Sequence, residues 1–303
     1  MKIVVLDGAT IDRGLSWNGL EELGELIVYP RTPKDLVIER IHDADAVFAT
    51  KVTFDQQTLS LCKKLKFVGM MATGYNNIDL DYCKKSGIAV CNIPAYSTDA
   101  VAQHTFALIL EVCNNVALHN NSVKQGDWAK SEDFCYWKAP VLLLKDKSLG
   151  IIGYGNIGKK VAEIAKAFGM KVNVYSQNKE AAITSDILTL HCPATKQNIE
   201  FINNDFINQM KDGAILINTA RGTLINEHHV AEALKSRKLS AFGADVLSKE
   251  PADIDNPLIN LDNSYITPHM CWTSIELRRT IIQVSIENLK SFINGDKLNR
   301  VDL

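Results

Sequence analysis

Gly153-Tyr154-Gly155-Asn156-Ile157-Gly158 follows the apolar run Leu149–Ile152 and opens into 159–168, where Val161, Ile164, Ala165 and Phe168 share one helical face. Strand, glycine turn and helix in this order form a cradle for a pyrophosphate. The first glycine makes the tight turn, the second admits the phosphates close to the backbone, and the third lets helix pack on strand. The helix start adds free N–H groups and the positive end of its dipole. A bare Gly-x-Gly-x-x-Gly is a weak signal, but in this setting it predicts dinucleotide binding rather than a merely structural turn. The next predicted strand, 171–175, should end in an acidic residue if an NAD ribose is held there, or lead to an Arg for a 2′-phosphate. It ends in Ser176-Gln177-Asn178-Lys179, which supplies neither, so NAD is expected with NADP left open.

The same rhythm extends in both directions. Buried strands are predicted at 3–6, 25–29, 46–49, 67–70 and 88–91, with helical spacing at 34–42 and 55–63 between them. Beyond Pro94 a long helix is expected over 100–120, then a loop rich in aromatics, Trp128, Phe134, Tyr136 and Trp137. Further strands are expected at 187–191, 214–218, 241–245 and 265–267, and a last helix from 273 to about 294, stopped by Gly295. This alternation predicts an α/β chain with doubly wound parallel sheets.

Composition agrees with that reading and removes others. The chain has 303 residues, 46% hydrophobic and 22% charged, enough for two cores at ~150 residues per domain. A net charge of −2 gives no case for nucleic acid or an anionic membrane surface as partner. No apolar run approaches the ~20 residues of a membrane span, and the early Asp7 argues against a signal peptide. Seven scattered cysteines without Cys-x-x-Cys read as reduced thiols of a cytoplasmic protein. No metal site is expected: His104 and His191 lack partners at ligand spacing, and His228-His229 reads as a surface pair.

Three later segments place polar residues just after predicted strands, where ligands of parallel sheets bind. They are Thr219-Ala220-Arg221-Gly222, Asp245 with Glu250-Pro251, and Pro268-His269. Arg offers a two-pronged donor to a carboxylate or carbonyl, and His exchanges a proton near neutral pH. Glu holds the imidazole tautomer and favours its charged form. Each also has a plainer reading, as a surface turn, a loop start and a capping histidine. Spacing alone does not bring the three together.

With these motifs in order, and with Ala72-Thr73-Gly74-Tyr75-Asn76-Asn77-Ile78-Asp79 and Asn92-Ile93-Pro94-Ala95-Tyr96-Ser97-Thr98 before them, the chain resembles the D-isomer-specific 2-hydroxyacid dehydrogenases over essentially its whole length. The Ala-Thr-Gly-x-Asn-Asn-Ile-Asp form and the run Gly126-Asp127-Trp128 … Asp133-Phe134-Cys135-Tyr136-Trp137 look most like the glycerate dehydrogenases, or hydroxypyruvate reductases. The resemblance implies a Rossmann-type cofactor domain, 99–270, inserted into a flavodoxin-like substrate domain made of 1–98 and 271–303. It implies a dimerisation arm at about 100–145, a homodimer, Trp137 reaching the partner's active site, and a cleft that closes over substrate.

It also implies roles. Arg221, Glu250 and His269 would be catalytic. Thr73, Asn156, Ile157, Ser176, Cys192, Thr219, Ala220 and Asp245 would join the three glycines, Arg221 and His269 around the cofactor, with Asp245 accepting from the nicotinamide carboxamide. Lys51, Ala72, Thr73, Gly74, Arg221 and His269 would bind a small 2-keto or 2-hydroxy acid. The expected reaction is D-glycerate/hydroxypyruvate or glyoxylate turnover, with D-lactate as the alternative substrate. An NAD-sensing protein like the corepressors that share this fold is the alternative of another class. One departure stands out: residues 177–186 leave no room for the usual extra strand and helix, so a trimmed sheet edge is expected.

Overall fold

Short, mostly apolar strands fold here as two parallel sheets. The computed structural model describes residues 1–303. In chain order it begins with β1 (Lys2–Val5), α1 (Asn18–Glu21), β2 (Glu25–Val28), α2 (Val37–Ile41), β3 (Ala46–Ala49), α3 (Gln56–Leu61), β4 (Phe67–Met70), α4 (Leu80–Ser86) and β5 (Ala89–Cys91). Next come α5 (Thr98–Asn114), α6 (Val116–Lys124), β6 (Ser148–Ile152), α7 (Asn156–Ala167), β7 (Lys171–Val174), α8 (Lys179–Ile183), β8 (Ile187–Leu190) and α9 (Asn204–Gln209). The remainder is β9 (Ala214–Asn218), α10 (Glu227–Lys235), β10 (Leu239–Ala244), β11 (Ser264–Ile266) and α11 (Ile275–Ile293). No helix is long and apolar enough to cross a membrane.

The chain divides into two compact units, Met1–Tyr96 with Thr273–Leu303, and Ser97–Trp272. Against the expected limits of 98 and 271, residues 97–98 and 271–272 fall in the second unit. The reason is local: Ser97 begins the α5 helix, and the Cys271 N–H donates to Asp245 of that unit.

The first unit is a five-stranded parallel sheet in the order β2-β1-β3-β4-β5. Its strands carry near-continuous apolar residues because helices cover both faces. The expected helix over 34–42 is shorter, a tight turn at Lys34–Leu36 leading into α2. Asp55 caps α3 by accepting the Thr58 N–H at 2.8 Å. The distant C-terminal segment completes this sheet. Phe292 of α11 packs on Phe67 with ring centroids 5.2 Å apart, and Asn288 Nδ2 donates to the Asn92 carbonyl at 2.9 Å. Asp302 accepts the Val90 N–H at 2.7 Å, and Arg300 bridges Cys91 in antiparallel sense, so the β5 edge is not left open.

The second unit is a six-stranded parallel sheet, β11-β10-β9-β8-β6-β7. Counted within the unit from the β7 edge this is 2-1-3-4-5-6: the doubly wound dinucleotide order without the strand outside its second, and with one more at the far edge. The trimmed edge expected from residues 177–186 is what stands there: only the five-residue α8 joins β7 to β8, and β7 is an edge strand. The long helix expected over 100–120 is broken. Asn115 takes the left-handed conformation (φ +49°), which Asn tolerates better than most residues. Its side chain is held by the Tyr265 hydroxyl at 2.9 Å, and the Glu111 carboxylate accepts the Ala117 N–H that starts α6. Phe168, expected on the buried face of the glycine-loop helix, lies past its end, part-exposed and stacked on Phe106.

One ion-paired carboxylate fixes β6 against β8. Asp186 accepts from Ser148 N and Oγ, both at 2.8 Å, and from Lys211 Nζ at 2.6 Å. Burial alone would raise its pKa, but Lys211 and the two Ser148 donors outweigh that and hold it down to about 2. The unfolded carboxyl titrates near 3.8, so this stabilisation is complete above that pH and is lost as the pH falls towards 2. Asp186→Asn is expected to cost about 2 kcal/mol at pH 7. Urea midpoints at pH 7 and pH 3 should then differ less in the variant than in the parent.

Candidate active site

The glycine turn occupies the switch point of the second sheet, since β6 pairs with β7 on one side and β8 on the other. Gly153 adopts φ +97°, and a Cβ there would lie 2.4 Å from the His191 carbonyl carbon. A Cβ at Gly158 would lie 2.1 Å from the Gly153 oxygen, so helix and strand approach as closely as the sequence reading expects. Gly155 differs: nothing of the protein lies within 4 Å of where its Cβ would be. That open space, next to an α7 start with no side-chain cap and no acidic residue in its first turn, fits a pyrophosphate. Asn156 is exposed and Ile157 half-buried at this start, while Ser176 is exposed beyond β7. Lys179 leans over the Tyr175 ring, 5.8 Å from its centroid. The residues present therefore fit a dinucleotide without choosing its 2′-substituent.

Cys192 follows β8 and is half-buried; burial pushes its thiol pKa up, away from nucleophilic chemistry. His191 is anchored through Nε2 to the Thr189 hydroxyl at 2.9 Å.

The three strand-end segments form one constellation. Beyond β9, Asn218 spans its own turn, accepting the Ala220 N–H at 3.0 Å and donating to the Arg221 carbonyl at 2.9 Å. Thr219 is buried, Ala220 half-buried and Arg221 exposed, its guanidinium donating to the Ala220 carbonyl. Gly222 lies against the next segment, where a Cβ would fall 1.9 Å from the Leu247 carbonyl carbon. Leu247 N–H donates to Glu250 Oε1 at 3.3 Å, and Glu227 of α10 steadies the same loop by accepting from Ser248 N and Asn256 Nδ2, both at 2.7 Å.

Beyond β11, His269 is brought to Glu250. Its Nδ1 lies 2.6 Å from Glu250 Oε2. A carboxylate only accepts, so Nδ1 carries the proton and Nε2 is the ring atom left to exchange one. His269 sits at φ +52°, a left-handed backbone that costs on the order of 1–3 kcal/mol outside glycine. The turn is held by Asp245, which is 0% exposed and accepts from Thr267 Oγ1 at 2.6 Å and from the Met270 and Cys271 N–H groups at 2.9 Å each. The resemblance places Asp245 at the nicotinamide carboxamide; here its oxygens also hold the turn that presents His269.

The first unit carries its own candidate surface. Thr73 is exposed, with its hydroxyl on the Ile93 carbonyl at 2.9 Å and its carbonyl accepting from Asn92 Nδ2 at 2.8 Å. Ala72 and Gly74 beside it are half-buried. The exposed Lys51 gives its N–H to Asp7 Oδ2 at 3.0 Å, and Asp7 also holds Thr50, so this loop too is fixed by one carboxylate.

Sequence reasoning missed Asn218, Glu227, Thr267 and His104. His104 Nε2 lies 2.8 Å from Thr267 Oγ1 and 3.5 Å from Asp245 Oδ1, partners more than 140 residues away that spacing cannot reveal. The available signal was a polar His-Thr pair inside the apolar stripe of α5.

Two doubly wound units, with a glycine cradle at a switch point and an Arg-Glu-His set at the strand ends, define a nicotinamide-dependent dehydrogenase. The family model described as "D-isomer specific 2-hydroxyacid dehydrogenase, NAD binding domain" matches residues 106–271. The chain is 42% identical to a hydroxypyruvate reductase of Blautia hydrogenotrophica, covering 100% of both, and 36% identical to a glycerate dehydrogenase of Methylorubrum extorquens, covering 89% of each. A D-lactate dehydrogenase from Aquifex aeolicus, solved with NAD and lactic acid, superposes with a TM-score of 0.84 at 28% identity, over 100% of this chain and 99% of that one. The chain belongs to the D-isomer-specific 2-hydroxyacid dehydrogenase family.

Gly222 offers a test that leaves every polar group in place. Gly222→Ala must push Leu247 away, and overpacking of this kind costs about 1–3 kcal/mol. The variant is expected to melt lower and to lose activity at least tenfold, because the displaced backbone carries both Arg221 and the Glu250 loop. Thermal unfolding and steady-state rates check both effects.

Proposed function

We propose that this enzyme interconverts hydroxypyruvate and D-glycerate with a nicotinamide cofactor and also reduces glyoxylate. The observation that carries the proposal is the 2.6 Å His269–Glu250 pair, in a chain 42% identical end to end to a hydroxypyruvate reductase. When bound, the nicotinamide supplies or takes the hydride. His269 delivers a proton to the substrate oxygen from Nε2, while Glu250 keeps the Nδ1 proton in place. Arg221 swings its fork from the Ala220 carbonyl to the substrate carboxylate and carbonyl, where two directed bonds position the carbon that reacts. Thr73 and the glycine cradle are assigned to the cofactor. Lys51 and residues 72–74 are assigned to the substrate carboxylate.

The similarity over the whole length to a hydroxypyruvate reductase, together with this pair, favours the enzyme reading over a binding protein of this fold. A homodimer is part of the proposal. The segment after α5 exposes Phe134 (89%), Trp137 (71%), Val141 and Leu143, apolar surface that a second copy would cover. A cytoplasmic location is proposed with it, on the seven unpaired cysteines.

NADH and NADPH oxidation by the purified protein across hydroxypyruvate, glyoxylate and pyruvate tests the reading. Hydroxypyruvate is expected to be turned over with the highest kcat/KM. Preference for pyruvate would move the enzyme to D-lactate, and no turnover with any keto acid would refute it. His269→Asn should lower kcat by about 10²–10⁴ with little change in NADH affinity. Arg221→Lys should raise KM and lower kcat together, since a point charge cannot replace a fork.

A further inference from the structure

Two adjacent side chains of α5, His104 and Thr105, reach the ends of two different strands. His104 Nε2 lies 2.8 Å from Thr267 Oγ1, and Thr105 Oγ1 lies 2.9 Å from Thr219 Oγ1. Thr267 stands two residues before His269, and Thr219 two residues before Arg221. Around this pair α5 is apolar: Ala102, Phe106, Leu108 and Ile109 are buried in the core against the sheet. Polar atoms in such a stripe are costly unless paired, so these two bonds fix where the helix can sit.

The protons can be assigned. The Thr267 hydroxyl lies 2.6 Å from Asp245 Oδ1, which only accepts, so it donates there. His104 Nε2–H therefore donates to Thr267 Oγ1, and the same nitrogen is 3.5 Å from Asp245 Oδ1. Asp245 accepts in turn from the N–H groups of Met270 and Cys271. A directed chain thus runs from His104 through Thr267 and Asp245 to the residues that flank His269 and keep it at φ +52°. At the other strand end, Thr105 is itself tied to its helix by the Val101 carbonyl at 2.8 Å and grips Thr219 without a polar intermediary.

We propose that His104 and Thr105 are positioning residues for the reaction: one step of α5 sets the ends of β9 and β11 relative to each other, and with them Arg221 and His269. The inference rests on the assignment of those two as catalytic, and it adds that their alignment is imposed from the helix rather than by the loops alone. Displacing a catalytic group by about 1 Å can cost 10²-fold in rate with binding left intact, which gives the inference a signature distinct from mere stability.

The test compares His104→Ala, His104→Gln, Thr105→Val and His269→Ala in NADH oxidation with hydroxypyruvate, alongside NADH affinity by fluorescence and thermal unfolding. His104→Ala is expected to lower kcat by about 10- to 100-fold while NADH affinity stays within about twofold. His104→Gln, whose amide can donate to Thr267 from the same place, should recover kcat to within about threefold of the parent. Thr105→Val should reproduce the loss in kcat. A folded His104→Ala with unchanged kcat overturns the inference, as does a His104→Gln as impaired as the alanine variant, or a folded Thr105→Val with full kcat. Should His104→Ala fail to fold, Thr267→Val, which removes the acceptor, decides in its place by the same criterion. His269→Ala separates the two levels: if it stays active the catalytic assignment falls, whereas its inactivity beside a fully active His104→Ala removes the positioning role alone.

Discussion

A carboxylate with no solvent exposure, Asp245, accepts a hydroxyl and two backbone N–H groups from the five residues around His269. The arrangement of the second unit's chemistry depends on that attachment. Without it the left-handed backbone at His269 would relax, and the imidazole would lose its line to Glu250. Short hydrogen bonds to a charged acceptor in a place without water are among the stronger ones a protein makes, and removing such an acceptor strands several donors at once. The device recurs at lower stakes: Asp186 fixes β6 to β8, Asp7 fixes the Lys51 loop, and Asp302 fixes the edge of the first sheet.

Much of this was legible in the sequence because parallel sheets write themselves as apolar runs separated by turn signals. The glycine cradle, the strand-end Arg221, Glu250 and His269, and the trimmed edge after β7 are all local patterns, and a local pattern needs no knowledge of what packs against it. The break at Asn115 was not legible. Helical spacing continues through it, and the left-handed turn is decided by Tyr265, 150 residues away in the chain. His104 failed to stand out for the same reason, since its worth comes from Thr267 and Asp245 rather than from its neighbours on α5. Asp245 stands out in the sequence for a ligand role, while its bonds to the backbone beyond β11 are legible only in the fold.

The cofactor region shows how subtraction shapes a site. A doubly wound sheet that keeps all its strands walls the adenosine side with a further β-α step. Here the chain turns back after β7 through a single short helix, and the strand end offers Ser176, Gln177 and Lys179 without a carboxylate. The phosphate cradle is unaffected by this economy. Gly153, Gly155 and Gly158 belong to the interior switch between β6 and β8, which the missing edge does not touch.

The C-terminal segment has a consequence for how the protein is made. The second unit is contiguous, so every strand of its sheet is available once residue 272 has left the ribosome. The first unit is begun earlier but lacks α11 and the Arg300–Asp302 clasp on β5 until residues 273–303 have followed. Synthesis usually folds domains in the order they emerge. In this chain the order of completion is reversed: the part translated second can close first, and the part translated first must wait with an open edge.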